Sequence, residues 1–256
     1  MPSVIVFGAS GFVGAPYIKA IKAAHPDWPV TAYIRATVPA KHSPASLGVD
    51  RLILGTFSDF SKVQTASSEH DIAVNAGNSF TADPVAAIIA GQTQKKNKSS
   101  RSRGTVIHIS GGGNFIDHGT SGNFNPHSKV WNDADEDDIR ACHILDLVNF
   151  LVTISDVAAQ GPAQGSAFSR FYMLETARVS WKDLATELAR AMHARGIFAS
   201  AEPKSVPFEQ AGEGEVKHLV AANMLMQGDR ARAMGFRPQH PSILTQIHED
   251  LKTVPI

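Results

Sequence analysis

Short apolar runs alternate with longer helix-like stretches through the first half of the chain. Val4-Ile5-Val6-Phe7 is too short for a helix and rich in β-branched residues, so it predicts a buried strand. Val30 to Arg35, Arg51 to Leu54, Asp71 to Val74 and Thr105 to Ile109 repeat that signal. Between them lie an Ala-rich apolar stretch to Ala24, a short helix through Val63, and a helix from Pro84 to Gln94. Asp83-Pro84 opens the last of these with the favoured cap and first-turn residues. Strands alternating with helices predict an α/β fold, a doubly wound parallel sheet.

Beyond Gly113 the pattern thins. Phe115 to Asp138 reads as loop, rich in Gly, Asn, His and Asp. Ile139 to Val152 predicts a helix containing His143 and Asp146, and Phe171 to Glu175 predicts a strand. Ser180 and Asp183 form a capping-box-like start to a helix that runs through His193 and stops at Gly196. Its apolar face is Ala185, Leu188, Ala189 and Met192. Ile243 to Leu251 predicts a closing amphipathic helix.

Composition narrows the classes. At 256 residues the chain has room for one large domain and a small lobe. Its 24 basic and 24 acidic residues balance, so no global field draws it to nucleic acid or an anionic membrane. Cys142 is the single cysteine, which excludes an internal disulfide and a multi-thiolate zinc site. With a core strand close behind Met1 and no apolar run of bilayer length, a cytoplasmic, reducing location is expected. The basic run Lys95 to Arg103 has no aromatic residue for stacking and reads as a solvated loop after a helix. Asp133, Asp135, Glu136, Asp137 and Asp138 lack a metal-ligand spacing with His118 and His127, so they read as an acidic helix start, and no metal is expected.

The chemistry-bearing stretch is the turn after the first strand. Gly8, Gly11 and Gly14 are spaced G-x-x-G-x-x-G between that strand and a helix. Gly8 suits a tight turn, Gly11 lets backbone approach a pyrophosphate, and Gly14 lets helix and strand pack closely. N–H groups along Ser10, Gly11, Phe12, Val13 and Gly14 then face phosphates at the helix start. At the end of the second strand, an acid would hold ribose hydroxyls and an arginine would suit a 2′-phosphate. Arg35 stands there, with Lys41 beyond and no acid between Asp27 and Asp50, which favours NADP over NAD.

These motifs resemble the short-chain dehydrogenase/reductase superfamily, in particular its extended and atypical, epimerase-like and NmrA-like branches. The resemblance implies a Rossmann-type NAD(P)-binding domain over 1–170 and a shortened C-terminal substrate lobe over 171–256. Asn75-Ala76-Gly77 resembles the family's Asn-Ala-Gly element, where small residues let the cofactor pass. Family members often carry Gly-Asp after the third strand, to contact adenine; here Gly55 is followed by Thr56, with Phe57 and Asp59 beyond. By the same resemblance Ser110 lies beside the nicotinamide and bonds the substrate oxygen. Gly228 to Pro238 resembles an epimerase-like packing segment, and Ile154 to Ala158 a later family element. Against extended members roughly sixty residues are missing between Asp146 and Phe171, judged from domain size.

The family's Tyr-x-x-x-Lys pair is absent. Tyr17, Tyr33 and Tyr172 are followed four places on by Ile21, Thr37 and Thr176. Lys129, His127 and His143 are the replacements available for proton transfer. The resulting expectation is an NADP-dependent oxidoreductase acting on a small carbonyl or alcohol. A non-catalytic NAD(P)-binding regulator and a redox-neutral isomerase or dehydratase are the alternatives. A homodimer is the default assembly.

Overall fold

A computed structural model describes residues 1–35, 48–79, 81–98, 104–111, 116, 125–134, 144–160, 170–214 and 216–252. Five parallel strands form its main sheet: β1 (Val4–Phe7), β2 (Val30–Ile34), β3 (Arg51–Leu54), β4 (Ile72–Asn75) and β5 (Thr105–His108), in the order β3-β2-β1-β4-β5. Helix α1 (Gly14–Ala24) joins β1 to β2, α2 (Phe60–Ser68) joins β3 to β4, and α3 (Ala82–Lys98) joins β4 to β5. The chain steps outward from β1 to β3, then returns past β1 to β4. Right-handed crossovers therefore place α1 on one face and α2 and α3 on the other. Every residue of β1, β2 and β4 is buried, as a sheet covered on both faces requires.

Alternation along the strands sorts the core. Ile5, Phe7, Tyr33 and Ala73 pack with Val63 and Ala66 of α2 and Ala87 and Ile88 of α3. On the opposite face Tyr17 and Ile18 of α1 are fully buried. There the Tyr17 hydroxyl lies 2.8 Å from the Ser155 hydroxyl of α4 (Ile144–Ala159). That contact puts α4 on the α1 face. Ile154 to Ala158, the stretch resembling a later family element, is part of this helix. Its described part runs from Ile144 to Ala159, past the predicted end at Val152, and the predicted start at Ile139 lies outside the described residues.

Buried polar groups under the sheet are paired with each other. The His70 ring bonds Ala66 O at 2.8 Å and Thr31 Oγ1 at 2.7 Å. Burial pushes its pKa down, keeping it neutral. Lys95 of the basic run ends in an ion pair with Asp71 at 2.6 Å.

The molecule divides into two compact units, 1–110 with 147–170, and 111–146 with 171–256. The stretch after β5 leaves the first unit and the chain returns to it as α4. In the second unit β6 (Val130–Asn132) pairs in parallel with β7 (Leu225–Gln227). Its helices are α5 (Trp181–Ala194), α6 (Val216–Ala221), α7 (Asp229–Ala233) and α8 (Ile243–Lys252). Asp133, fully buried, organises it: its carboxylate accepts from the N–H groups of Met173 (2.9 Å), Arg230 (2.6 Å) and Ala231 (3.0 Å). Two of those donors open α7, whose orphan N–H groups suit an anionic partner. So Asp133 caps a helix distant in sequence, while Asp135, Glu136, Asp137 and Asp138 lie outside the described residues.

The strand expected over Phe171 to Glu175 shrinks to one bridged residue, Leu174. Its backbone groups go elsewhere: Met173 N to Asp133, and Phe171 O to the Arg230 guanidinium at 3.0 Å. The start of α5 behaves as predicted, with the Ser180 hydroxyl accepting from Asp183 N at 3.0 Å. Aspartate is too short to reach back to the Ser180 backbone and instead accepts from its hydroxyl at 2.7 Å. The helix ends in a Schellman turn at Gly196, φ 72°, with Ile197 N bonding Met192 O at 3.0 Å.

Candidate functional site

The site lies at the carboxyl ends of β1 and β4, where the strand order reverses. Adjacent strands there lead to α1 and α3 on opposite faces, so their loops splay and leave a crevice. Gly8 turns the chain out of β1 with φ 77°. A Cβ at Gly8 would stand 2.7 Å from Gly77 Cα and 2.8 Å from Gly77 N, closer than packed atoms sit. The β1 and β4 loops therefore touch backbone to backbone, which only glycine at position 8 permits. A Cβ on Gly14 would overlap Gly8 O, which fixes the close approach of α1 to its own turn. Gly11 N donates to Gly8 O at 2.9 Å and Gly11 O accepts from Ala15 N at 3.1 Å, closing the turn onto the helix.

The front of α1 suits an anion. Val13 is its N-cap, provides no side-chain hydrogen bond, and no acid occupies the first turn. At that front Ala15 N donates to Gly11 O, Tyr17 N donates to Val13 O at 3.1 Å and Pro16 has no N–H, so the N–H groups left to meet a phosphate are those of the turn up to Gly14. Phe12 is 79% exposed at the tip of the turn, and Ser10 is half-buried beside it. Arg35 follows β2 directly and is exposed. Lys41 lies outside the described residues.

On the β4 side Asn75 is buried and Ala76 N extends the pairing to Phe7 O at 3.0 Å. Asn75 Oδ1 accepts from Gly77 N at 3.1 Å, while its Nδ2 lies 3.3 Å from Asn78 O and 3.0 Å from His108 Nδ1. Phe57 packs 6.4 Å from the Phe7 ring, centroid to centroid, and a Cβ on Gly77 would overlap it. Asp59 accepts from Thr56 N at 2.7 Å, and that bond holds its carboxyl below the usual range. Asp59 thus closes a local turn, with Phe57 packed against Gly77.

This is a Rossmann-type fold. Five parallel strands in this order, with a glycine turn at the reversal point, decide it. The Rossmann unit brings together Gly8, Ser10, Gly11, Phe12, Val13, Gly14, Asn75, Ala76 and Gly77 at one crevice. Ser110 belongs to the same unit, two residues past β5, and is half-buried. His143 lies outside the described residues, and the helix that follows packs on the α1 face. Lys129 belongs to the second unit, where its ammonium lies 4.3 Å over the Trp131 ring. His127 is exposed in that unit.

The tyrosines of the Rossmann unit are structural. Tyr17 is buried against Ser155, and burial pushes its pKa up to about 12. Tyr33 donates to Thr56 O at 2.9 Å and is likewise pushed up to about 12 by burial. Neither is tuned for proton transfer near neutrality.

No family model matches the chain. In sequence it is similar to the oxidase ucsJ of an Acremonium species, 28% identical over 134 residues. The match takes in 52% of this chain and only 38% of that protein, so the chain spans about two fifths of its length. Among solved structures it is similar to a wide-type short-chain dehydrogenase/reductase from Veillonella parvula, determined with NADP: 20% identity, 44% of this chain, 48% of that one, TM-score 0.35. An isoflavone reductase is similar at 21% identity, over 45% of this chain and 39% of that one, TM-score 0.33. ChuY, an anaerobilin reductase from Escherichia coli O157:H7, is similar at 24% identity, over 43% and 52%, TM-score 0.32. Among the described residues no helix is long and apolar enough to cross a membrane, and no cluster of His, Cys, Asp and Glu could hold a metal ion.

Proposed function

We propose that the first unit binds a nicotinamide dinucleotide, NADP in preference to NAD, and that the chain is an oxidoreductase acting on a small carbonyl or alcohol. One observation carries this reading: Gly8 and Gly77 meet backbone to backbone beneath an uncapped helix start. That cradle has the form and polarity for a pyrophosphate. Exposed Arg35, at the end of β2, supports the 2′-phosphate. The solved relatives named as reductases and the curated oxidase support the reaction class.

When bound, the nicotinamide supplies or accepts a hydride. The protein's part is to hold the diphosphate on the N–H groups of the glycine turn up to Gly14, to seat Arg35 on the adenosine side, and to hold the reacting oxygen with the Ser110 hydroxyl. Titration calorimetry with NADPH and NADH tests this. NADPH is expected to bind at least tenfold more tightly, and Gly8→Ala to abolish binding of both. Failure of the wild type to bind either would remove the reading.

A second reading, a cofactor-binding regulator without turnover, draws on the tyrosines. Tyr17 and Tyr33 are committed to the core, and no Tyr-x-x-x-Lys pair exists to replace. It predicts NADP binding with no reduction of any member of a broad carbonyl panel.

A further inference from the structure

The second unit holds a cluster of charges that the cofactor reading does not use. Glu175 is largely buried, its side chain 15% exposed, and two arginines meet it. Arg232 Nη1 donates to Glu175 Oε2 at 2.9 Å, and Arg178 Nε lies 3.4 Å from Glu175 Oε1. A second contact pins each guanidinium. Arg232 Nη2 donates to Glu175 O at 3.4 Å, and Arg178 Nη2 to Met226 O at 3.2 Å. The backbone beneath them is closely packed, since a Cβ on Gly228 would overlap Met173 O. Long side chains fixed before a ligand arrives lose little further freedom on binding it.

Positive charge is in excess at this seam. Arg178, Arg230, Arg232 and Arg237 bond backbone carbonyls or Glu175 there, and the acids tied into it are Asp133, Glu175 and Asp229. Asp229 is already engaged: Asn132 and Gln227 donate to it at 2.8 Å each and hold its carboxyl low, with a further contribution from Arg232. A guanidinium carries five N–H bonds. Among the described residues nothing accepts from Arg178 Nη1 or from Arg232 Nε. The two side chains are 47% and 37% exposed, so these donors face an arriving ligand. Because both flank one carboxylate, their free edges meet at one place on the surface.

We propose that Arg178 and Arg232 form an anion site in the second unit, which takes the carboxylate or phosphate group of a small ligand. Planar forks suit the paired oxygens of such a group, where a lysine offers only a point charge. Glu175 is a positioning residue: it orients both forks and does not itself touch the ligand. No residue of the cofactor crevice belongs to this site, so it is independent of the oxidoreductase reading.

The test follows the arginine Nε–H signals of the labelled full chain by 15N–1H NMR at constant ionic strength. Inorganic phosphate and succinate are the separate probes. The Arg178 and Arg232 signals are expected to shift and saturate with at least one of them, and the probe with the lower Kd names the group the site takes. Arg178→Gln is expected to weaken that binding about tenfold. Arg178→Lys, which keeps the charge and loses the fork, should weaken it about threefold; it carries the test if Arg178→Gln loses exchange protection at the Ala231 amide. Arg190→Gln removes an exposed arginine paired with Glu187 on α5 and should change the affinity less than about twofold. Gly8→Ala, which spoils the cradle of the first unit, should leave the Arg232 shift in place. Shifts that do not saturate with either probe, an equal loss in Arg190→Gln, or loss of the Arg232 shift in Gly8→Ala overturns the inference. Wild type that shows the saturating shifts and binds no NADPH keeps this site and brings down the cofactor reading alone.

Discussion

Tyr17 illustrates how a side chain that invites a catalytic role is spent on the core. Its hydroxyl sits 2.8 Å from Ser155 Oγ, which in turn donates to Leu151 O at 2.7 Å. Burial holds the phenol proton up to about pH 12 in the folded state, against about 10 in an unfolded chain. Between those values the unfolded state has lost a proton that the folded state keeps. Stability from this residue is therefore complete below about pH 10 and falls as pH rises toward 12. Two pH units correspond to about 2.7 kcal/mol at most. Tyr33 is shifted in the same direction and adds a smaller share, because its hydroxyl reaches Thr56 at the exposed end of the sheet. Denaturant unfolding measured from pH 9 to 12 should show this alkaline loss. Tyr17→Phe should flatten it, while costing about 1 kcal/mol at pH 8 for the lost hydroxyl bond. An equally steep decline in Tyr17→Phe would mean another group titrates there.

At the scale of elements, the second unit is held by a carboxylate where hydropathy shows only a polar loop. Asp133 ties β6, the stretch around Met173 and the start of α7 through three N–H groups. Asp133→Ala would leave those buried donors without a partner, at a cost of about 3 kcal/mol for a hydrogen-bonded buried charge. Amide exchange at Met173, Arg230 and Ala231 should accelerate at least tenfold, while β1 and β4 amides in the first unit keep their rates. Unaltered exchange at Ala231 would show that α7 is capped by something else. This contact explains why the C-terminal half was less legible than the N-terminal half. The strands β1 to β5 announce themselves as short apolar runs, because a sheet covered on both faces leaves no polar alternation. The glycine turn was legible because its spacing follows from backbone contact alone. Asp133 gives no periodic signal, since its partners lie far along the chain. Phe171 to Glu175 looked like a strand because apolar residues there pack as a core element, while its backbone bonds go to Asp133 and Arg230.

For the molecule as a whole, the path of the chain sets what a bound dinucleotide can stabilise. The first unit is discontinuous: 1–110 supplies the sheet, and 147–170 returns to supply α4, which Tyr17 and Ser155 tie to α1. The glycine turn and the β4 loop that form the crevice both belong to its first stretch. Ligand that binds only the folded state adds RT ln(1 + [L]/Kd), about 2.7 kcal/mol at a hundredfold excess over Kd. Because α1 carries both the phosphate-facing turn and Tyr17, that stabilisation reaches α4 through the Tyr17–Ser155 bond. Hydrogen exchange with saturating NADPH should show its largest protection at 8–14 and 75–78. Smaller protection should follow in α4 at 151–159, and this second effect should shrink in Tyr17→Phe while the first persists. Protection of α4 that survives the substitution unchanged would mean the ligand, and not the α1–α4 contact, couples the returning segment to the turn.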